Sequence, residues 1–260
     1  MIPGTQHMST TLKIIAFIIS AIGFSKMPAG KTPKRRDQQQ NNVPSVKLIN
    51  LSGTKKLQWN STVNYKISVT DKEDGVSEYS EISPNEVLLK VKYFADSALA
   101  KSYVKQEKNN LPEASGISLI KSFNCFTCHR VKTKLIGPAF EAIALKYPPS
   151  QKTFDSLATK IIKGSRAVWG DQQMPPHPNV TKEKANQMLQ WIFKNSVDPN
   201  LDYLVGLDGI VRTKSRPLQN AEKAVYVLTA SYTDHGLQGQ LNTNKRGQDI
   251  LILRNFETIK

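Results

Sequence analysis

Cysteine is nearly absent: the 260 residues contain two, Cys125 and Cys128. Both fall in one motif, so there is no second pair to complete a four-ligand zinc site. If that motif consumes both thiols, no structural disulfide can form in any compartment. The chain also lacks an apolar run of the ~20 residues needed to span a bilayer. Its long one, Leu12–Phe24 (LKIIAFIISAIGF), fits the core of a secretory signal, about 7–15 residues. No cysteine follows that run, which excludes a lipid-anchored start. Acidic residues are few, 21 against 36 basic, giving a net charge of +15. The basic residues are spread along the chain, and the one tight run, Lys34-Arg35-Arg36, sits in a polar glutamine-rich segment. That distribution argues against nucleic acid as a partner and reads as solvated surface.

Composition divides the chain. Residues 1–30 are signal-like, with a second possible start at Met8 and a possible cleavage point at Ala29-Gly30; a buried helix is the alternative. Export to the periplasm, or to an outer-membrane-facing position, follows from the signal reading, with membrane contact only if the segment stays uncleaved. Residues 31–44 cannot bury enough apolar area to order themselves and read as a linker. From 45 to 97 the period is two. Val63, Tyr65, Ile67 and Val69 alternate with polar residues, as do Val87, Leu89, Val91 and Tyr93, and Val46, Leu48 and Asn50 begin a third strand. Between them Asp71–Gly75 is an acidic turn whose Asp71, Glu73 and Asp74 are candidate calcium ligands. The expectation is a small antiparallel β-sandwich. Residues 98–112 form a polar, partly helical linker. From 113 to 199 the period becomes helical, with Thr181 as an N-cap and Ala185, Met188, Leu189 and Ile192 on one face. Residues 200–260 turn β-rich again.

The chemistry concentrates in Cys125-Phe126-Thr127-Cys128-His129. This spacing lets two thiols add to the two vinyl groups of a porphyrin while the next residue supplies imidazole to its iron. A redox dithiol needs no such histidine and usually follows a strand. One covalent haem c is therefore expected, with His129 as a metal ligand. The sixth position falls to the loop Lys163–His177. There Met174 is stiffened by Pro175 and Pro176, and a thioether ligand favours ferrous iron. His177 is a rival ligand, and Met188, on an apolar helical face, reads as core.

Cys125 to Trp191 resembles the short bacterial class I monohaem cytochromes c. The resemblance rests on Cys125, Cys128, His129, Ile136–Phe140, Val168-Trp169-Gly170, Met174-Pro175-Pro176 and Trp191-Ile192. It implies an all-α haem domain in which the Pro138 carbonyl bonds the far nitrogen of the His129 ring. It also implies that Trp169 packs at the haem edge toward a propionate, and that Gly116 lets the first and last helices cross near Trp191. Residues 45–97, through Ser68–Gly75, loosely resemble PKD or immunoglobulin-like modules. The tail, with Gly236–Gln240, resembles the segment after the cytochrome in exported Bacteroidetes-type sugar dehydrogenases. These resemblances imply a multidomain electron carrier rather than an enzyme. Its donor would be a dehydrogenase and its acceptor would lie on the terminal-oxidase side. Two alternatives stay open: a haem enzyme or gas sensor with an open or labile sixth site, and a carbohydrate-binding module carrying a haem.

Overall fold

The computed structural model describes residues 40–49, 58–109, 114–240 and 243–254. The signal-like run, most of the first linker and Asn50 lie outside the described residues. In chain order the elements are β1 (Ser45–Ile49), β2 (Thr62–Asp71), β3 (Gly75–Val76), β4 (Leu88–Phe94), α1 (Ser97–Asn109) and α2 (Ser115–Ser122). They continue with α3 (Phe140–Lys146), α4 (Gln151–Lys163), α5 (Lys182–Asn195), β5 (Leu201–Val205), β6 (Asp208–Arg212), β7 (Val225–Thr233) and β8 (Arg246–Arg254). Among the described residues no helix is long and apolar enough to cross a membrane.

The strands make two antiparallel sheets. In the first, β2 pairs with β1 along one edge and with β6 and then β3 along the other, with Lys66 opposite both Ile49 and Asp208. The second runs β5-β4-β7-β8. Alternation along β2 sends Tyr65, Ile67 and Val69 inward, where they share one core with Leu89, Val91, Tyr226, Leu228 and Tyr232 of the second sheet. Face-to-face packing of this kind buries one side of each sheet. Strand β7 is buried on both sides. Its outer residues Val225 and Val227 lie under Ala100 and Tyr103 of α1, and Tyr103 meets Phe94 at 5.1 Å between ring centroids. The stretch 98–112, expected as a polar, partly helical linker, thus carries a helix that also covers a sheet.

The expected tail, 200–260, does not stand apart in the described residues. Strand β6 completes the first sheet, and β5, β7 and β8 supply three of the four strands of the second. The strands of 45–97 cannot close two faces alone, because β4 would be unpaired on both edges and β2 would lose its pairing with β6. Strand pairing over such sequence distances leaves no local signal, so alternation alone could not reveal it.

The helices α2 to α5 are inserted between these strands. Gly116 lies where α2 crosses α5, and a Cβ there would fall 2.4 Å from Trp191 Cβ and 2.6 Å from the Gln187 carbonyl. Ile117, Ile120, Phe126, Phe140, Leu157, Met188 and Leu189 form the helical core, which Leu88 of β4 joins. Trp191 meets Tyr203 of β5 edge-on at 5.0 Å, so a wall of the helical core is built by the β portion.

The acidic turn has other employment. Asp71 Oδ1 accepts from the amides of Glu73 and Asp74, Glu73 accepts from the Asn42 side chain, and Asp74 accepts from Tyr232 and from the His235 amide. Among the described residues no group of three or more His, Cys, Asp or Glu converges as a metal site.

Candidate haem site

Helix α2 stops because Asn124 takes a left-handed conformation, φ 55°, a state that asparagine tolerates better than most residues. The chain then turns tightly: the amides of Cys128 and His129 both donate to the Cys125 carbonyl, at 3.2 and 3.0 Å. This single turn brings both thiols and the imidazole to one cleft. The Gly137 amide donates to the Cys128 carbonyl at 2.8 Å. A Cβ at Gly137 would lie 2.5 Å from His129 Cε1, so only glycine lets the return strand pass this close to the ring.

His129 is 8% exposed. Its Nδ1–H donates to the Pro138 carbonyl at 2.7 Å, which leaves Nε2 for a metal and fixes the ring's orientation. The ring also stacks on Phe140, 5.3 Å away and inclined by 16°. Burial holds its pKa below the ordinary value against the opposing pull of the Pro138 bond. The neutral, ligating form is therefore favoured. Burial also pushes the Cys125 thiol up to about 11. A redox dithiol would need the opposite shift, toward thiolate.

The facing wall comes from the loop after α4. Ser165 and Met174 exchange both backbone hydrogen bonds, at 3.1 and 2.9 Å, and the His177 amide donates to the carbonyls of Ile161 and Ile162 at 3.1 Å. Met174 is thereby pinned on both sides and lines the same cleft as His129. His177 lines it as well. Met188 also reaches it, but it is 1% exposed and belongs to the core. Trp169 lines the cleft half-buried, with the Lys146 ammonium 4.4 Å from its ring centroid. Lys146 also donates to the Val168 carbonyl at 3.3 Å.

Two residues escaped the sequence reading. Asn124 carried a usable signal, an αL-tolerant residue just before the motif. Lys132 carried none: its ammonium bonds Glu141 at 2.7 Å and the carbonyls of Ser196 and Asp198 at 2.6 and 3.0 Å. It ties the segment following His129 to the chain entering β5.

The cleft opens to solvent at its mouth and is walled largely by apolar side chains such as Ile120, Ile143, Leu157 and Leu189. Two thiols one turn apart, a neutral imidazole with its far nitrogen engaged, and an apolar slot fit a porphyrin bonded through thioethers. The fold and the site together define a covalent haem-binding protein of the c type.

The family model described as Cytochrome c matches residues 114–195. Cytochrome c-552 of Hydrogenobacter thermophilus is 46% identical over 75 residues, 29% of this chain and 76% of that protein. Cytochrome c-551 of Ectopseudomonas mendocina is 44% identical over 80 residues, 31% and 96% of the respective chains. The crystal structure of wild-type Nitrosomonas europaea cytochrome c552 aligns at 42% identity over 30% of this chain and 96% of that one, with a TM-score of 0.29. The chain belongs to the cytochrome c family through this helical segment. Its cofactor is one covalent haem c, attached through Cys125 and Cys128, and the members of the family carry electrons.

Proposed function

We propose that this protein passes single electrons between redox proteins, with His129 and Met174 as the two axial ligands in both oxidation states. The observation that carries this reading is that both side chains line one apolar cleft and each is held by its own backbone bonds. When bound, the haem supplies an iron that alternates between ferric and ferrous. The chain's own residues do the rest. Pro138 orients the imidazole, the Ser165–Met174 bridge holds the thioether where a weak ligand must already wait, and the apolar walls exclude water and lower reorganisation. Trp169 marks the haem edge. With His129 and Met174 both held toward the haem, the iron would keep no open place for substrate, so the protein would act as a carrier and not an enzyme.

The wider setting is part of the proposal. The signal-like run and the extracytoplasmic chemistry of haem attachment support export. The alternating strands β2 and β4, which face one core, support the PKD or immunoglobulin-like reading of residues 45–97, beside a haem domain at 113–199. The resemblance to Bacteroidetes-type sugar dehydrogenases supports a dehydrogenase donor and an acceptor on the oxidase side.

Met174→Ala tests the ligation. The haem stays covalently attached, the reduction potential falls, and the weak red charge-transfer band of ferric thioether-ligated haem disappears. An unchanged potential assigns the sixth position elsewhere. His177 on the same cleft wall supports the second reading, a labile site; ready binding of carbon monoxide by the ferrous wild type would establish it.

A further inference from the structure

His129 is held by a strip of chain that doubles back on the attachment turn. The Phe140 amide donates to the Arg130 carbonyl and the Glu141 amide to the Val131 carbonyl, both at 3.0 Å. The residues after His129 and the start of α3 are therefore stitched together. This strip makes two contacts with the imidazole: the Pro138 carbonyl on Nδ1 and the Phe140 ring on its face. Its outer end is closed by Lys132, whose bonds reach beyond the haem segment.

An ammonium has three donors. Lys132 spends them on separate acceptors: Glu141 Oε1 in the first turn of α3, the Ser196 carbonyl and the Asp198 carbonyl. Its side chain is 19% exposed, so water competes for these bonds less than at an open surface pair. The acceptors are fixed in turn. Ser196, fully buried, closes α5, and its amide and hydroxyl both donate to the Ile192 carbonyl, at 3.0 and 2.6 Å. A cation there also meets the negative end of the helix dipole. The Asp198 carboxylate pairs with Lys92 of β4 and accepts from the Asn200 amide at 2.8 Å. Both carbonyls lie beyond residues 114–195, the segment shared with the cytochromes c.

We propose that Lys132 is a positioning residue for His129: it braces the wall behind the imidazole against the start of the β scaffold and so holds the Nδ1–Pro138 bond tight. The proposal rests on His129 being an iron ligand. A hydrogen bond at the far nitrogen sets the basicity of the ligating one, and with it the potential of the metal. The scaffold thereby acts on the iron without touching it. Glu141 shares the task, because it joins the brace to the helix that carries Phe140.

Proton NMR of the full-length, haem-loaded ferrous protein measures solvent exchange of the His129 Nδ1 proton. Lys132→Gln is expected to speed that exchange about tenfold or more, the loss of one charge-assisted hydrogen bond. Glu141→Gln, a milder change at an exposed helix start, speeds it by less. Thr181→Ala, which strips the N-cap of α5 without touching the brace, leaves it unchanged and controls for general destabilisation. Reduction potentials of the same variants separate bracing from bare charge. One variant removes a positive charge and the other a negative one, so potentials that move in opposite directions with unchanged exchange mean charge alone and overturn the proposal. Equal acceleration in Thr181→Ala overturns it as well. Wild-type protein whose His129 ring shows no iron-shifted signals would sink the ligation reading and this proposal together, whereas unchanged exchange in a His129-ligated Lys132→Gln protein sinks the brace alone.

Discussion

The helical and β portions of this molecule are built by opposite rules of connectivity. Every helix of the haem core comes from one uninterrupted stretch, and both anchors of the cofactor cleft lie within it. The sheets join residues far apart in sequence, as where Lys66 meets Asp208 and Leu88 meets Ser231. The first arrangement closes short loops; the second must bring distant segments together before any contact rewards them. A contiguous domain can be inserted into a β scaffold while drawing most of its core from its own stretch, with Leu88 and Tyr203 of the scaffold adding a wall. A scaffold interrupted by such a domain depends on its ends meeting across it.

Cutting the chain is the strongest way to test that contrast. A fragment of residues 114–199 is expected to fold and retain a reducible haem, while 40–109 alone is expected to stay unfolded for want of β5 to β8. Circular dichroism and haem absorbance of the two fragments decide. A folded 40–109 would break the comparison.

Next in size is the helix crossing. Gly116→Val drives a branched side chain into Trp191 and the Gln187 carbonyl and should destabilise the helical core by about 3 kcal/mol or more, read by urea unfolding of the haem protein. Because Trp191 also packs on Tyr203, the same variant reports coupling between the portions. A single shared unfolding transition would show the seam to be cooperative.

At that seam, burial raises the Asp202 carboxyl to about 6 against the opposing Tyr203 amide bond and the Lys132 charge. The folded state then holds a proton between pH ~4 and 6 that the unfolded state has released. This contribution to stability is present at low pH and is lost as pH rises through about 6. Asp202→Asn should flatten that slope and stabilise the protein near pH 7 by about 1 kcal/mol. A pH series of urea midpoints checks it. The smallest effect belongs to Lys146→Gln, which removes the cation from the Trp169 face and should cost about 0.5–1 kcal/mol, visible as a small drop in thermal midpoint.

The haem site was largely legible because its constraints are local. The order Cys125, Cys128, His129 states a geometry within one turn, and Met174, singled out by the prolines after it, lines the same cleft. The Pro138 carbonyl, expected from family resemblance, stands 2.7 Å from His129 Nδ1. Gly137 was part of a recognised run, but its reason, the His129 ring against its Cα, needed the packed structure. For β2 and β4, alternation revealed strands and their inward faces. It could not reveal that β4 lies between β5 and β7, nor that α1 would roof β7. The seam was invisible for the same reason: Lys132, Asp202 and Tyr203 look like ordinary surface residues until the chain returns.

What the amino-acid order settled by itself is covalent attachment of one haem c, helices of the right period and strands of the right alternation. Each depends on residues within a few positions of one another, whose relations the backbone largely dictates. Tertiary structure alone decided which strands meet and which helix covers them. Those outcomes depend on long-range closure and mutual burial, which a linear pattern does not encode.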